Sequence, residues 1–344
     1  MNRRTWTLLI VTVAVIGGVY AITLWQRARE TQRLMSELQS PDHAVAAQAM
    51  TSLRERVASV NDELIAIARQ EGTDARWRAL ELLAHDTTAS SREVLTDALQ
   101  APDPVVRAAA ASALGERGIR GAADRIAMLA GAEQEQMEVR LAAVRALQKL
   151  RTPTHLAEMS RIATDRPPPP PEEPEEQAEE ATDAEEAAEA QEAGETEEGP
   201  EAEEWSDDTE QLRIEAVRAV AVLGAQSGPA GALGDDPATA AGIVLTEATS
   251  PVEHSDRVRK AACYALTDLA QLELSEDVRT VVVRSLLEAS DDEIGDVRIA
   301  AIHGLKTVQA PMDLRDEVAR AMEDALDDEH YWVRVAAGEE PIGG

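Results

Sequence analysis

Apolar and polar positions alternate along this chain with helical, never strand-like, spacing. Val106, Ala110, Ala113 and Leu114 recur at offsets of 0, 4, 7 and 8, with Arg107 directly after the first. Those offsets fall on one face of an α-helix. The same pattern returns as Ala75-Arg76-Ala79-Leu82-Leu83, Val139-Arg140-Ala143-Ala146-Leu147 and Leu212-Arg213-Ala216-Ala219-Val220. It returns again as Val258-Arg259-Ala262-Ala265-Leu266, as Val297-Arg298-Ala301-Gly304-Leu305, and truncated as Val333-Arg334-Ala337. A degenerate first copy starts at Val45, where Ala46 takes the arginine's place. Ahead of most copies lies a second apolar stretch, such as Leu64-Ile65-Ile67-Ala68, Val94-Leu95-Ala98-Leu99, Val281-Val282-Leu286 and Val318-Ala321-Met322. The pattern therefore predicts an all-α chain of about eight helix pairs. One such pair cannot bury its apolar face alone, so the pairs stack as an α-solenoid.

Turns rich in Asp and Pro divide the helices, as at Pro102-Asp103-Pro104 and Asp235-Asp236-Pro237, where the acid caps the helix that follows. The acidic pairs Asp291-Asp292 and Asp327-Asp328 read the same way, as caps and not as catalytic dyads. The run Asp103-Pro104-Val105-Val106-Arg107-Ala108-Ala109-Ala110 resembles the HEAT-repeat family, above all the short HEAT-like repeats of the phycobilisome-lyase type. The resemblance covers about residues 31–165 and 209–338. It implies a structural ladder in which Arg76, Arg107, Arg140, Arg213, Arg259, Arg298 and Arg334 pair with an Asp of a neighbouring repeat. Gln136, Thr209, Ser255 and Ile294 stand where that Asp is expected, three residues before the anchor, so the ladder is expected to be uneven. The resemblance further implies that second helices line a concave face. Arg218, Tyr264 and His303 each lie six residues after an anchor and are expected to form a binding strip there for a protein or peptide partner.

Two segments break the pattern. Residues 6–25 carry no charge and would span about 30 Å as a helix, the thickness of a hydrocarbon core. Trp6 and Trp25 would stand at its two interfaces. The expectation is a single-pass anchor after a short tail, 1–5, with the repeats on the extracytoplasmic side. Repeats are expected over 26–165 and 209–338, with a tail at 339–344. Between them, 166–208 carries five successive prolines, Pro167 to Pro171, and is rich in Glu. Such a segment is expected to be disordered, because one-sign charge and low hydrophobicity cannot offset the entropy of ordering. It serves either as a spacer or as an acidic arm for a basic partner or cations.

Composition changes the picture in one respect. The formal charge is −32, with three Lys and no Phe among 344 residues. Acidity of this degree argues against nucleic acid, whose binding requires clustered Lys and Arg. The single Cys263 excludes an internal disulfide, and no two of the six His stand at metal-ligand spacing. No catalytic residue, cofactor site or metal site is expected. The sequence thus points to a membrane-anchored scaffold or adaptor. An envelope-organising protein acting through its acidic arm and a lyase-type enzyme accessory remain the alternatives.

Overall fold

The computed structural model describes residues 22, 25–26, 28–72, 74–164, 207–226, 236–251, 254–272 and 274–340. Among them are sixteen α-helices and no strand. The described residues fall into two compact units, one drawn from Met1–Met159 and Val222–Ala240, the other from Ser160–Ala221 and Ala241–Gly344.

In the first unit, a helix at 28–38 (α1) precedes α2 (His43–Arg54), α3 (Asn61–Ala68), α4 (Ala75–Leu83), α5 (Ala89–Ala98), α6 (Pro104–Glu116), α7 (Ala123–Gly131) and α8 (Met137–Leu150). Helix α1 buries Leu34, Met35 and Leu38. Even-numbered helices are the second members of pairs. They bury the anchor residues predicted from spacing: Ala75, Ala79, Leu82 and Leu83 on α4, and Val106, Ala110, Ala113 and Leu114 on α6. Helices α4, α6 and α8 pack against their own first helices α3, α5 and α7, and α2, α4, α6 and α8 pack in succession on one another. Small residues set the closest of these approaches. A Cβ on Gly115 of α6 would lie 2.7 Å from the Ala146 Cα of α8, so only glycine fits. Helix starts follow the turn chemistry: Asp42 and Asp103 accept hydrogen bonds from the first free N–H groups of α2 and α6.

Helix α9 (Leu156–Thr164) leads toward the acidic insertion. The expected disorder of 166–208 falls almost wholly outside the described residues; Asp207 and Asp208 are described, and open a helix two residues before the expected boundary. The second unit contains most of α10 (Asp207–Gly224) and α11 (Pro237–Glu247), and all of α12 (Asp256–Ala270), α13 (Glu276–Ala289), α14 (Gly295–Thr307), α15 (Arg315–Asp324) and α16 (Tyr331–Ala337); α9, α10 and α11 are each divided between the units. Asp236 caps α11, as expected for the Asp-Pro turn. On α12 and α14 the anchors Val258, Ala262, Leu266, Val297, Ala301 and Leu305 are buried. Helix α15 departs from its sequence pattern. Val318, Ala321 and Met322 sit at helical spacing, yet the helix has no buried residue. Charged neighbours on both sides of that stripe keep it half-open to solvent.

The expectation of a single-pass membrane protein with an extracytoplasmic repeat domain is corrected. Among the described residues no helix is long and apolar enough to cross a membrane. Of the stretch 6–25, only Ile22 and Trp25 are described, and Trp6 is not. Both described residues are exposed, and the Trp25 ring carries the Arg29 guanidinium 4.1 Å from its centroid. That contact is a cation–π pairing. The membrane assignment is withdrawn.

Candidate functional site

Six of the seven ladder arginines turn back into the bend that precedes their helix. Arg76 donates to the Ala68 carbonyl at 3.0 Å and Arg140 to the Ala130 carbonyl at 3.1 Å. Arg107 donates to the carbonyls of Ala101 and Pro102, Arg259 to His254, Arg298 to Asp292 and Glu293, and Arg334 to Asp328 and Glu329. Arg213 is buried on α10.

Three of these arginines also grip a carboxylate of the next turn with two parallel bonds. Arg107 holds Glu135 at 2.9 and 2.5 Å, Arg259 holds Asp292 at 2.8 and 2.9 Å, and Arg298 holds Asp328 at 2.9 Å twice. Arg334 meets Glu339, five residues on, at 2.6 Å. The acids lie four or five residues before the next anchor, not three. Position minus three is a helix cap: Asp103 and Ser255 spend their side chains on N–H groups of their own helices. The carboxylate that faces backward must come from deeper in the turn. Gln136 and Ile294 are therefore no gap in the ladder, because Glu135 and Asp292 stand beside them.

Asp292 and Asp328 each serve two neighbours. The Asp292 side chain accepts from Arg259 and from the Ile294 N–H, and its carbonyl accepts from Arg298. The Asp328 side chain accepts from Arg298 and from the His330 N–H, while its carbonyl accepts from Arg334. Burial alone would raise the Asp328 carboxyl; the Arg298 hydrogen bonds and charge outweigh it and hold the group below its ordinary value. Glu135 is lowered chiefly by its hydrogen bonds from Arg107.

With each second helix pinned on one side by its arginine, its opposite side stays open. Arg218 is exposed on α10, Tyr264 on α12 and His303 on α14, one from each of three successive second helices. Their neighbourhood is charge-matched: Lys260 on α12 meets Asp296 on α14 at 2.5 Å, and Arg257 meets Asp207 at 2.9 Å and Glu210 still more closely. In the first unit the positions equivalent to these three carry Glu81, Ser112 and Arg145, but a neighbouring row is apolar. Trp77 on α4, Ala108 and Ala109 on α6, and Leu141 and Ala142 on α8 are all half-exposed, and Val105 is 53% exposed. The spacing pattern contained this row too, two residues past each anchor, but its residue types read as packing and drew no notice.

Other chemistry is sparse among the described residues. No group of three or more His, Cys, Asp or Glu could hold a metal ion. Cys263 is buried, and desolvation pushes its thiol up to about 12, so it is no nucleophile at neutral pH. A recess of about 510 Å³ in the second unit is lined by Thr246, Thr249, Ser250 and the acidic turn Asp291-Asp292-Glu293. Arginine 78, unremarked in the sequence pattern, is almost fully buried and donates to the carbonyls of Leu38 and Ser40 at 2.8 and 3.0 Å. It ties α4 to the turn after α1. The only signal for it is an arginine where other second helices carry alanine (Ala109, Ala142, Ala261).

Paired helices that stack through recurrent turn arginines define a helical-repeat solenoid. A family model described as HEAT repeats matches residues 61–137 and 93–173. No curated protein sequence matches the chain. Among solved structures, the karyopherin Kap121p, bound there to the extreme C-terminus of the protein phosphatase Cdc14p, is 13% identical. The match covers 89% of this chain and 32% of that one, with a TM-score of 0.56, a likeness of fold. An engineered protein is 16% identical over 92% of this chain and 79% of its own, at a TM-score of 0.47. The CpcE–CpcF complex of phycocyanin lyase from Nostoc sp. PCC7120 is also 16% identical, over 81% and 94%, at 0.38. The fold is thus a helical-repeat solenoid similar to that of HEAT repeats.

Proposed function

We propose that this chain is a non-catalytic scaffold or adaptor that binds protein or peptide segments across the exposed faces of its second helices. One observation carries the reading. In each unit, second helices pack directly on one another, so residues at equivalent positions form rows at repeat pitch, and these rows remain exposed. Arg218, Tyr264 and His303 make one such row. It offers a cation, a phenol and an imidazole to an extended or helical segment, and needs no cofactor. Kap121p, whose fold is similar, is seen with a protein segment bound, which is consistent with such use of the fold. The turn arginines serve as the ladder that keeps the rows in register.

Site-specific photo-cross-linkers at Tyr264 and His303, compared with Arg320 on α15, test the reading in native cells. Discrete adducts from the second-helix positions, persisting when 167–208 is deleted, are the expected result. Adducts only from Arg320, or adducts that vanish with the deletion, would transfer binding away from the second helices.

A further inference from the structure

The apolar face of the first unit differs from its counterpart in one further respect. Asp74 and Asp103, at the starts of α4 and α6, and Glu138, in the first turn of α8, are exposed along one edge of that face. Among the described residues none of the three is in an ion pair. In the second unit two carboxylates at helix starts are matched within the chain, Asp296 by Lys260 and Glu210 by Arg257. The first unit therefore presents Trp77, Val105, Ala108 and Leu141 beside three unmatched negative charges. Alanines at Ala109 and Ala142 leave room for another backbone to come close.

We propose that this face of α4, α6 and α8 is the docking site for an amphipathic helix of a partner protein, its apolar stripe bordered on one side by lysine or arginine. The inference rests on the scaffold reading and names both the surface and the class of partner. Apolar contact supplies affinity, and the Asp74, Asp103 and Glu138 edge selects the charge of the flank and the direction in which the helix lies. A glutamate-bordered helix would meet like charge along that edge and within a chain of net charge −32.

The test uses the full chain and three labelled synthetic peptides of about 18 residues, long enough to form several helical turns. One has a Leu/Ala stripe bordered by Lys, the second the same stripe bordered by Glu, the third the Lys composition scrambled. Fluorescence anisotropy should show saturable binding of the Lys-bordered peptide, weakening with salt, with the Glu-bordered and scrambled peptides at least about tenfold weaker. The triple variant Asp74→Asn, Asp103→Asn, Glu138→Gln should lose about tenfold for the Lys-bordered peptide. It keeps its fold, because Asn caps a helix as well as Asp. Val105→Ser should lose about threefold or more through the apolar term. Equal binding of the scrambled peptide, equal binding of the Glu-bordered one, wild-type affinity in both variants, or no saturable binding at all would each overturn the inference. Cross-links at Tyr264 and His303 that persist in such a case would leave the scaffold reading standing, whereas their joint loss would end both.

Discussion

The two units build one repeat with different cements. In the second, Arg259 and Arg298 each close a two-bond grip on a largely buried aspartate, and those aspartates link successive helices through side chain and backbone at once. In the first, Arg76 reaches a carbonyl, Arg107 grips Glu135, and the tightest helix approach is made by bare backbone at Gly115 against Ala146. The difference teaches that a repeat motif specifies a geometry and leaves the source of cohesion free. The second unit has two largely buried ion pairs beside a close side-chain approach at Gly304 to Thr267; the first has one such pair, Arg107–Glu135, and leans on the backbone approach at Gly115.

The sharpest way to break that comparison is Arg259→Met. It strands Asp292, whose side chain is 3% exposed, without its countercharge. A loss of about 3–5 kcal/mol follows from breaking one side of a buried pair. Chemical denaturation combined with limited proteolysis should show early cleavage confined to the second unit. Cleavage spread evenly over both would mean that the pair is not local cement.

Gly115→Ala probes the other unit. Its new Cβ would be pressed against Ala146 backbone, so α6 and α8 must separate, at about 1–3 kcal/mol. Early cleavage should now fall within the first unit. A fully stable variant would refute the packing account.

Acid gives a third, smaller contrast. Glu135 and Asp328 both titrate lower in the folded chain than in the unfolded one. Their stabilisation is complete above the unfolded carboxyl range, about pH 4, and is lost as pH falls through the lowered folded values. Melting temperature should therefore drop on acidification below about pH 4, and less steeply in Arg298→Met, where the Asp328 contribution is already gone. Identical slopes would show that Asp328 does not contribute. The smallest effect belongs to Glu116→Gln. The exposed Lys149–Glu116 pair at 3.4 Å should be worth less than about 0.5 kcal/mol, which denaturation midpoints in low and high salt can check.

The helices themselves were legible. Offsets of 4, 7 and 8 identified the buried residues of α4, α6, α12 and α14, because a helix face is a property of local sequence. Ladder partners were less so. A cap and a bridging acid both appear as a polar residue in a short turn, and only backbone geometry separates Asp103, which turns forward, from Asp292, which turns back. Arg78 was missed for the same cause: its acceptors are main-chain carbonyls some forty residues earlier, which leave no trace in side-chain identity. The half-open α15 shows the converse, a correct period without the burial that usually accompanies it. The apolar row at Trp77, Ala108 and Leu141 was present in the pattern, but a sequence does not say which apolar residues are left uncovered.

The two-way role of Asp292 also bears on how such a chain can be cut and rejoined. Its carboxylate belongs to the arginine of the preceding repeat, and its carbonyl to the arginine of its own. A chimera joined between Asp292 and Arg298 would pair a foreign arginine with a native bend. A chimera joined within α13, by contrast, carries bend and arginine across together and asks only that the incoming acid match the outgoing guanidinium. The natural module for recombination is therefore a bend with the helix that follows it, out of phase with the helix pair the eye picks out.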